Sequence, residues 1–211
     1  MTSSRYIIRA NVRKRFEPLE GGTGSSRYRD GAARFELGDE IVTVRPPFGL
    51  AHEGEYAFVH VEPLLAALAE EHFVGVLLVR LGGYAVGVFS GEELVASKVG
   101  RRNVYGRHRA GGSSANRFRR RREEQARELI QDAAETAWRV LGPRLSGLEA
   151  IALGGDRFAV RKTIAARREL AALDEKALPH FLAVAEPRRQ VLERAIHEVY
   201  AAEVETELGA G

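Results

Sequence analysis

The stretch FVGVLLVRLGGYAVGVFSGEELVASKV, residues 73–99, decides which fold the sequence predicts. It begins with FVGVLLVR, an apolar run with several β-branched residues, and after LGG comes a second apolar run, YAVGVF. Short apolar runs separated by glycines are typical of buried strands joined by a tight turn. SGEEL then predicts another turn, and LVASKV predicts a third strand. The stretch therefore predicts a three-strand meander.

An amphipathic helix is predicted after the meander. Apolar residues recur at spacings of three and four over residues 118–141, which is typical of a helix with one buried face. Ser113, Ser114 or Asn116 can supply the oxygen that caps its first turn. The glycine and proline at 142–143 predict the end of the helix.

The remaining sequence alternates between strand and helix patterns. LEAIALGG predicts a strand, RFAVRKTIAARRELAAL a helix, HFLAVAE a strand and PRRQVLERAIHEVY a last helix. A meander followed by β-α units predicts an α/β domain in which helices cover a mixed sheet. This element order matches a ribonuclease-H-like arrangement, and we assign the domain to residues 71–211.

Residues 1–70 are predicted to form a small N-terminal lobe. ARFELGDEIVTVRPP and YAFVHVE indicate strands, and PLLAALAEEH indicates a short helix. EPLEGGTGSSRYRDGA is rich in turn-forming residues and predicts a mobile segment.

Composition limits the class of protein. The chain has 211 residues, 45% of them hydrophobic, which suits one domain of moderate size with a small appendage. No run reaches the roughly 18 apolar residues that span a membrane, and the first residues hold no apolar signal-peptide core. We therefore expect a cytoplasmic protein. The absence of cysteine excludes disulfides and thiolate metal sites.

Positive charge is concentrated in one part of the chain. The net charge is +3, but Lys98–Arg127 holds eleven Lys or Arg against two acidic residues, a net charge of +9, so the rest carries −6. Such a segment predicts an anionic partner, most simply nucleic acid. The alternative is a solvated helix face, but such faces mix charge signs, and Arg119–Arg122 does not.

The basic residues of this segment are nearly all arginines, whose planar guanidinium binds phosphate in bidentate fashion and stacks on bases. The candidate RNA-binding residues are Arg101, Arg102, Arg107, Arg109, Arg117, Arg119, Arg120, Arg121 and Arg122.

Two glycines, Gly111 and Gly112, lie between these arginines, directly ahead of the predicted helix. Glycine allows the backbone to approach a ligand closely. The backbone N–H groups at a helix start stabilise an anion or a developing oxyanion. The sequence therefore predicts a tip that enters a crowded, RNA-lined site with no side chain in the way.

Other kinds of site find little support. The predicted strands of the meander contain no carboxylates that could hold the divalent ions of a nuclease. The six histidines form no pair at i,i+4, so a zinc site is not predicted. Ser113 or Ser114 with His108 lacks an acid placed to orient the histidine. GGDR, residues 154–157, lacks the spacing of a phosphate-binding loop.

The segment SKVGRRNVYGRHRAGGSSANRFRRRREEQARELI resembles the catalytic-loop region of the middle domain of eukaryotic and archaeal class-I peptide-chain release factors. Gly111, Gly112, Ser114, Arg117 and Phe118 fall at the matching spacing. The bacterial, actinobacterial-type branch of the Vms-like release factor family is closer still, through VLLVRLGGYAVGVFSGEELVASKVGRR, GGDR and EPRRQVLERA. The resemblance extends from Phe73 to the C-terminus.

This resemblance implies a ribonuclease-H-like fold and hydrolysis of the ester that joins a nascent peptide to tRNA on stalled ribosomes. It implies the large ribosomal subunit, tRNA and rRNA as partners, and neither a metal nor another cofactor. The implied catalytic group comprises Gly111, Gly112, Ser113, Ser114 and Asn116.

The sequence departs from the family pattern at one decisive position. These families carry a glutamine at or just after the glycines, where this chain has Ser113, Ser114, Ala115 and Asn116. Three hypotheses therefore stay open: a hydrolase that uses backbone groups and Asn116, a catalytically weakened relative that binds ribosomes or tRNA, and an RNA-binding protein that acts off the ribosome.

Overall fold

A computed structural model describes residues 3–101 and 113–208. The strands are β1 (Ser3–Ile7), β2 (Ser25–Arg29), β3 (Ala32–Leu37), β4 (Glu40–Arg45), β5 (Gly54–Tyr56), β6 (Phe73–Arg80), β7 (Gly83–Ser90), β8 (Glu93–Arg101), β9 (Ala150–Gly155) and β10 (Ala202–Leu208). The α-helices are α1 (Arg9–Phe16), α2 (Glu62–Ala69), α3 (Ser113–Leu141), α4 (Arg157–Ala165), α5 (Ala172–Glu175) and α6 (Arg189–Val199). Short 3-10 helices cover Glu17–Leu19, Gly142–Arg144 and Arg168–Leu170.

The chain divides into two compact units that do not follow the predicted division at residue 70. One unit comprises the described residues of Met1–Glu71 and Ile196–Gly211, and the other comprises His72–Ala195. The C-terminal residues group with the N-terminal ones because β10 pairs with β1 and β4. A strand pairing over so long a sequence separation leaves no local signal in the sequence.

The first unit is built on a six-stranded sheet in the order β1-β10-β4-β3-β2-β5. Tyr28, Phe35, Val42 and Val44 point to its buried face and form a core with the side chains of α1 and α2. The strands predicted in ARFELGDEIVTVRPP are confirmed as β3 and β4.

Two predictions for the first unit are wrong. YAFVHVE is not a strand beyond Tyr56, the last residue of β5. The turn-rich segment predicted to be mobile contains β2, which pairs with β3 on one side and β5 on the other. Ser26 and Tyr28 are buried in that strand, so pairing and burial outweigh the local turn signal.

The second unit contains a four-stranded sheet in the order β8-β7-β6-β9. The predicted meander is confirmed, because β7 pairs antiparallel with both β6 and β8. The predicted strand in LEAIALGG is confirmed as β9, which runs parallel to β6. HFLAVAE, however, is not a strand, because only Leu182 forms a bridge, opposite Gly154.

The helices of the second unit partly follow the prediction. The long amphipathic helix is confirmed as α3, which ends at Leu141 before Gly142–Arg144. RFAVRKTIAARRELAAL was predicted as one helix but divides into α4, a 3-10 turn and α5. The break lies at Arg167, whose backbone is extended at φ −143° and ψ 120°. None of the described helices has the length and apolar character needed to cross a bilayer.

Gly155 makes the turn from β9 into α4 possible, which gives a stability prediction. Its φ is +101°, and an added Cβ would lie 2.2 Å from the carbonyl oxygen of Val79. Gly82, in the β6–β7 turn, has a similar φ of +105° but nothing within 4 Å of an added Cβ. We expect Gly82→Ala to cost about 1–2 kcal/mol through backbone strain, and Gly155→Ala about 1–3 kcal/mol more through the clash.

Urea unfolding followed by the fluorescence of Trp138, the single tryptophan of the chain, measures this difference within the second unit. Equal losses of unfolding free energy in the two variants would contradict a steric role for Gly155.

Candidate nucleic-acid interface

The C-terminal half of α3 anchors the helix to the second unit. Leu129, Ala133, Ala137 and Leu141 are buried and belong to the same core as the strand residues of the meander. The hydroxyl groups of Tyr84 on β7 and Thr136 on α3 lie 3.1 Å apart in this buried layer. The helix is therefore fixed along this half by apolar packing and a buried hydrogen bond.

The N-terminal half of α3 precedes the buried residues of the helix. Among the described side chains of residues 117–128, none is buried, and Leu129 is the first that is. Residues 113–128 correspond to roughly 24 Å of helix at about 1.5 Å per residue. The helix thus presents several solvent-exposed turns ahead of its anchored half.

Arginines occupy all sides of this exposed half. Arg117 and Arg119–Arg121 are exposed, and Arg122 is partly buried. Because successive residues of an α-helix are rotated by about 100°, the four consecutive arginines point in four different directions around the axis. The first acidic residues follow only at positions 123 and 124. This end of the helix is therefore cationic around its whole circumference.

The pairing of Arg119 with Glu123 does little to neutralise this charge. The two groups lie 3.9 Å apart, and their side chains are 63% and 56% exposed. An exposed pair of this kind contributes little, because water and salt screen it.

Arg101, the last residue of β8, is held differently from the helix arginines. Its guanidinium pairs with the carboxylate of Glu186, which also accepts a hydrogen bond of 2.9 Å from Nε of Arg188. The hydrogen bonds from Arg188 and Arg101 lower the pKa of Glu186. The carboxylate therefore stays ionised at neutral pH and ties the end of β8 to the segment before α6.

Gly100 lets the ring of Tyr84 cover the end of β8. A Cβ added at Gly100 would lie 2.2 Å from Cζ of that ring. The same Tyr84 hydroxyl faces Thr136 of α3, so one side chain supports both β8 and the anchored half of α3.

The structure places only some of the predicted site residues. Ser113, Ser114 and Asn116 lie in the first turn of α3, although their side chains fall outside the described part. Arg117 and Arg119–Arg122 share the exposed half of that helix. Gly111, Gly112, Arg102, Arg107 and Arg109 lie outside the described residues.

Sequence reasoning missed the Glu186 contacts of Arg101. The partners are 85 residues apart, and the only signal was the sequence EPRR, which places this acid beside basic residues. Within residues 3–101 and 113–208, no cluster of His, Cys, Asp and Glu is suited to hold a metal ion.

The comparisons with known proteins agree with the resemblance stated above. The family described as "Actinobacteria/chloroflexi VLRF1 release factor" matches residues 72–205. The chain belongs to this family. Membership confirms the predicted relationship to the Vms-like release factors and places the chain among the release-factor-like proteins of translation.

A curated relative is the peptide chain release factor subunit 1 of Thermococcus sibiricus, which is 33% identical over 96 residues. The match covers 44% of this chain but 23% of the relative, so the chain spans about a quarter of that protein.

Two solved structures are similar at lower identity. An archaeal translation termination factor, aRF1, matches with a TM-score of 0.45 and 16% identity over 76% of this chain and 49% of its own. The Vms1 mitochondrial localization core matches with a TM-score of 0.43 and 13% identity over 92% of this chain and 80% of its own.

Proposed function

We propose that this protein is a ribosome-associated peptidyl-tRNA hydrolase that releases stalled nascent chains. In this proposal, the basic loop with Gly111 and Gly112 enters the peptidyl-transferase centre of the large subunit, and tRNA and rRNA are the partners. The observation that carries the proposal is the arginine-covered half of α3, which begins directly after those glycines in a chain of a release-factor family.

The distribution of the arginines favours an enclosed anionic environment over a flat surface. A helix that docks by one face carries its cations on that face, whereas Arg119–Arg122 surround the axis of α3. RNA walls on several sides would allow each guanidinium to reach a phosphate. Release of the counterions condensed on those phosphates would then drive binding.

The chemical step needs little from the side chains. A water oxygen bonds to the ester carbonyl carbon, the bond from that carbon to the tRNA ribose oxygen breaks, and a proton from water passes to that ribose oxygen. The tetrahedral intermediate carries an oxyanion that backbone N–H donors stabilise. In this proposal, the N–H of Ser113 supplies that donor and the amide of Asn116 helps to orient water.

The ribonuclease-H-like arrangement remains part of the proposal for the second unit. The sheet order β8-β7-β6-β9, with an antiparallel meander and a parallel fourth strand, supports it. The family match over residues 72–205 supports this unit as the release-factor-like part of the chain.

One specific observation favours a second candidate function. Serines and an asparagine stand where the family pattern has its glutamine, and Gln125 lies well inside α3. A chain that lost its water-orienting side chain while keeping its arginines would bind ribosomes, tRNA or other RNA without hydrolysis.

Release of labelled peptide from peptidyl-tRNA on isolated large ribosomal subunits separates the two functions. A hydrolase releases peptide faster than subunits alone. Binding to the subunits without release would overturn the hydrolase and leave the binding protein. Failure to bind the subunits would overturn both ribosomal functions.

Restoring the family glutamine gives a further prediction. Ser113→Gln should raise the rate of peptide release by about tenfold or more, the lower part of the range for a positioned catalytic group. The matched control is Ser113→Glu, which has nearly the same size but no amide N–H. No gain from glutamine, or an equal gain from glutamate, would contradict transfer of the family mechanism to this position.

A further inference from the structure

The outer face of α4 is a second cationic surface, separate from the arginines of α3. Ala159, Val160, Thr163 and Ile164 are buried. Arg157, Phe158, Arg161, Lys162 and Ala165 are exposed. With about 100° per residue, the exposed set falls within one arc and forms a continuous face. This α4 face therefore holds three cations and an aromatic ring, with no carboxylate.

Phe158 is unusually exposed for a large apolar side chain. It is 69% exposed, although Nζ of Lys162 lies 5.5 Å from its ring centroid. A packing role does not account for it, because the buried half of α4 is formed by other residues. Single exposed apolar residues are common on protein surfaces, so the cations around the ring carry the distinction.

The cations of the α4 face are not neutralised by neighbouring acids. Among the described residues, Arg157, Arg161 and Lys162 form no ion pair. The two carboxylates nearest in sequence are engaged elsewhere. Asp156 accepts a hydrogen bond of 2.8 Å from the N–H of Ala159, and Glu169 pairs with Arg167 at 3.1 Å.

We propose that the α4 face binds a single-stranded RNA segment, with Phe158 stacking on an unpaired base and Arg161 and Lys162 contacting the flanking phosphates. An aromatic ring beside cations is the combination by which proteins bind single strands, since every base offers a face for stacking. Arg157 is held 4.2 Å from the ring centroid of Phe181, which orders the N-terminal edge of the face.

RNA suits this face better than an acidic protein surface does. Carboxylates would satisfy the cations but would leave the exposed ring of Phe158 unused. The one-sided α4 face also differs from the all-round cationic half of α3, so the two surfaces bind RNA independently. The inference goes beyond the proposed function and holds whether or not the protein hydrolyses peptidyl-tRNA.

The test compares two single-stranded probes of about ten nucleotides, within the usual site size. One is a base-bearing RNA oligonucleotide, and the other is an abasic ribose-phosphate strand of equal length. The full chain should bind the base-bearing strand at least fivefold more tightly, in keeping with stacking on one base. Phe158→Leu keeps an apolar side chain but removes the ring, so it should lose this preference and leave abasic binding unchanged.

Phe58→Leu is the matched control, because Phe58 is also exposed, at 43%, but lies in the other unit. It should keep the preference for bases. The double variant Arg161→Gln, Lys162→Gln should weaken both probes and lower the salt dependence by about 0.7 per phosphate contact. Wild-type affinity of Phe158→Leu for the base-bearing strand would overturn the proposal.

The outcome is independent of the ribosomal proposal. Neutral substitutions in α3 test large-subunit binding, whereas Phe158→Leu tests a preference for bases in free oligonucleotides. Failure of one leaves the other measurement unaffected.

Discussion

Replacing Gly112 by valine is expected to abolish peptide release while leaving subunit binding in place. In the proposed mechanism, the backbone beside Gly112 approaches the ester closely, and a β-branched side chain there would occupy the space of the substrate. Loss of a correctly placed oxyanion donor lowers the rate by about 10²–10³-fold. The measurement is release of labelled peptide from peptidyl-tRNA on isolated large subunits, with binding of the same variant measured by co-sedimentation.

Gly147→Val is the matched control for the same chemical change. An added Cβ at Gly147 has its nearest neighbour at 3.6 Å, an ordinary contact. This variant should release peptide at the parent rate. Release by Gly112→Val at the parent rate would contradict close approach of the glycine tip. A parallel loss of binding would show that the glycine serves docking and not the chemical step.

Neutralising the four consecutive arginines of α3 is expected to weaken binding to large subunits by a factor on the order of 10³ near physiological salt. The variant replaces Arg119, Arg120, Arg121 and Arg122 by glutamine, which keeps length and helix propensity. Because each lost phosphate contact lowers the salt dependence by about 0.9 in log–log form, the slope should fall by about 3–4. Binding measured over a series of salt concentrations gives both quantities.

The control removes a similar number of cations from the first unit, at Arg5, Arg13, Lys14 and Arg15, which are exposed or partly exposed on β1 and α1. These substitutions should change binding far less, because their positions lie outside the proposed contact. Equal weakening by both variants would reduce the effect to net charge. An unchanged slope in the α3 variant would remove phosphate contact from the proposal.

The local parts of the fold could be predicted because their signals are local. The meander follows from apolar runs divided by glycines, and Gly82, with its φ of +105°, occupies the predicted tight turn. The long helix follows from apolar spacing between residues 118 and 141. The arginine cluster and the glycines could also be identified from the sequence alone.

The parts that were missed depend on distant partners. HFLAVAE has strand character, but only Leu182 finds a bridging partner along β9, and strand propensity contains no information about pairing. The helix break at Arg167 interrupts a sequence with helical character. There, the guanidinium lies 5.2 Å from the ring centroid of Trp138, a tertiary contact that local propensity cannot report.

The C-terminal strand β10 imposes an order in time on the assembly of the first unit. It lies between β1 and β4, and β1 has no other neighbour in the described sheet. During synthesis at about 5–20 residues per second, β1 therefore waits roughly 10–40 s for its partner to be made. The meander and α3 are complete well before that moment. A protein proposed to rescue stalled ribosomes thus has a first unit that closes only after translation has passed nearly the whole described chain.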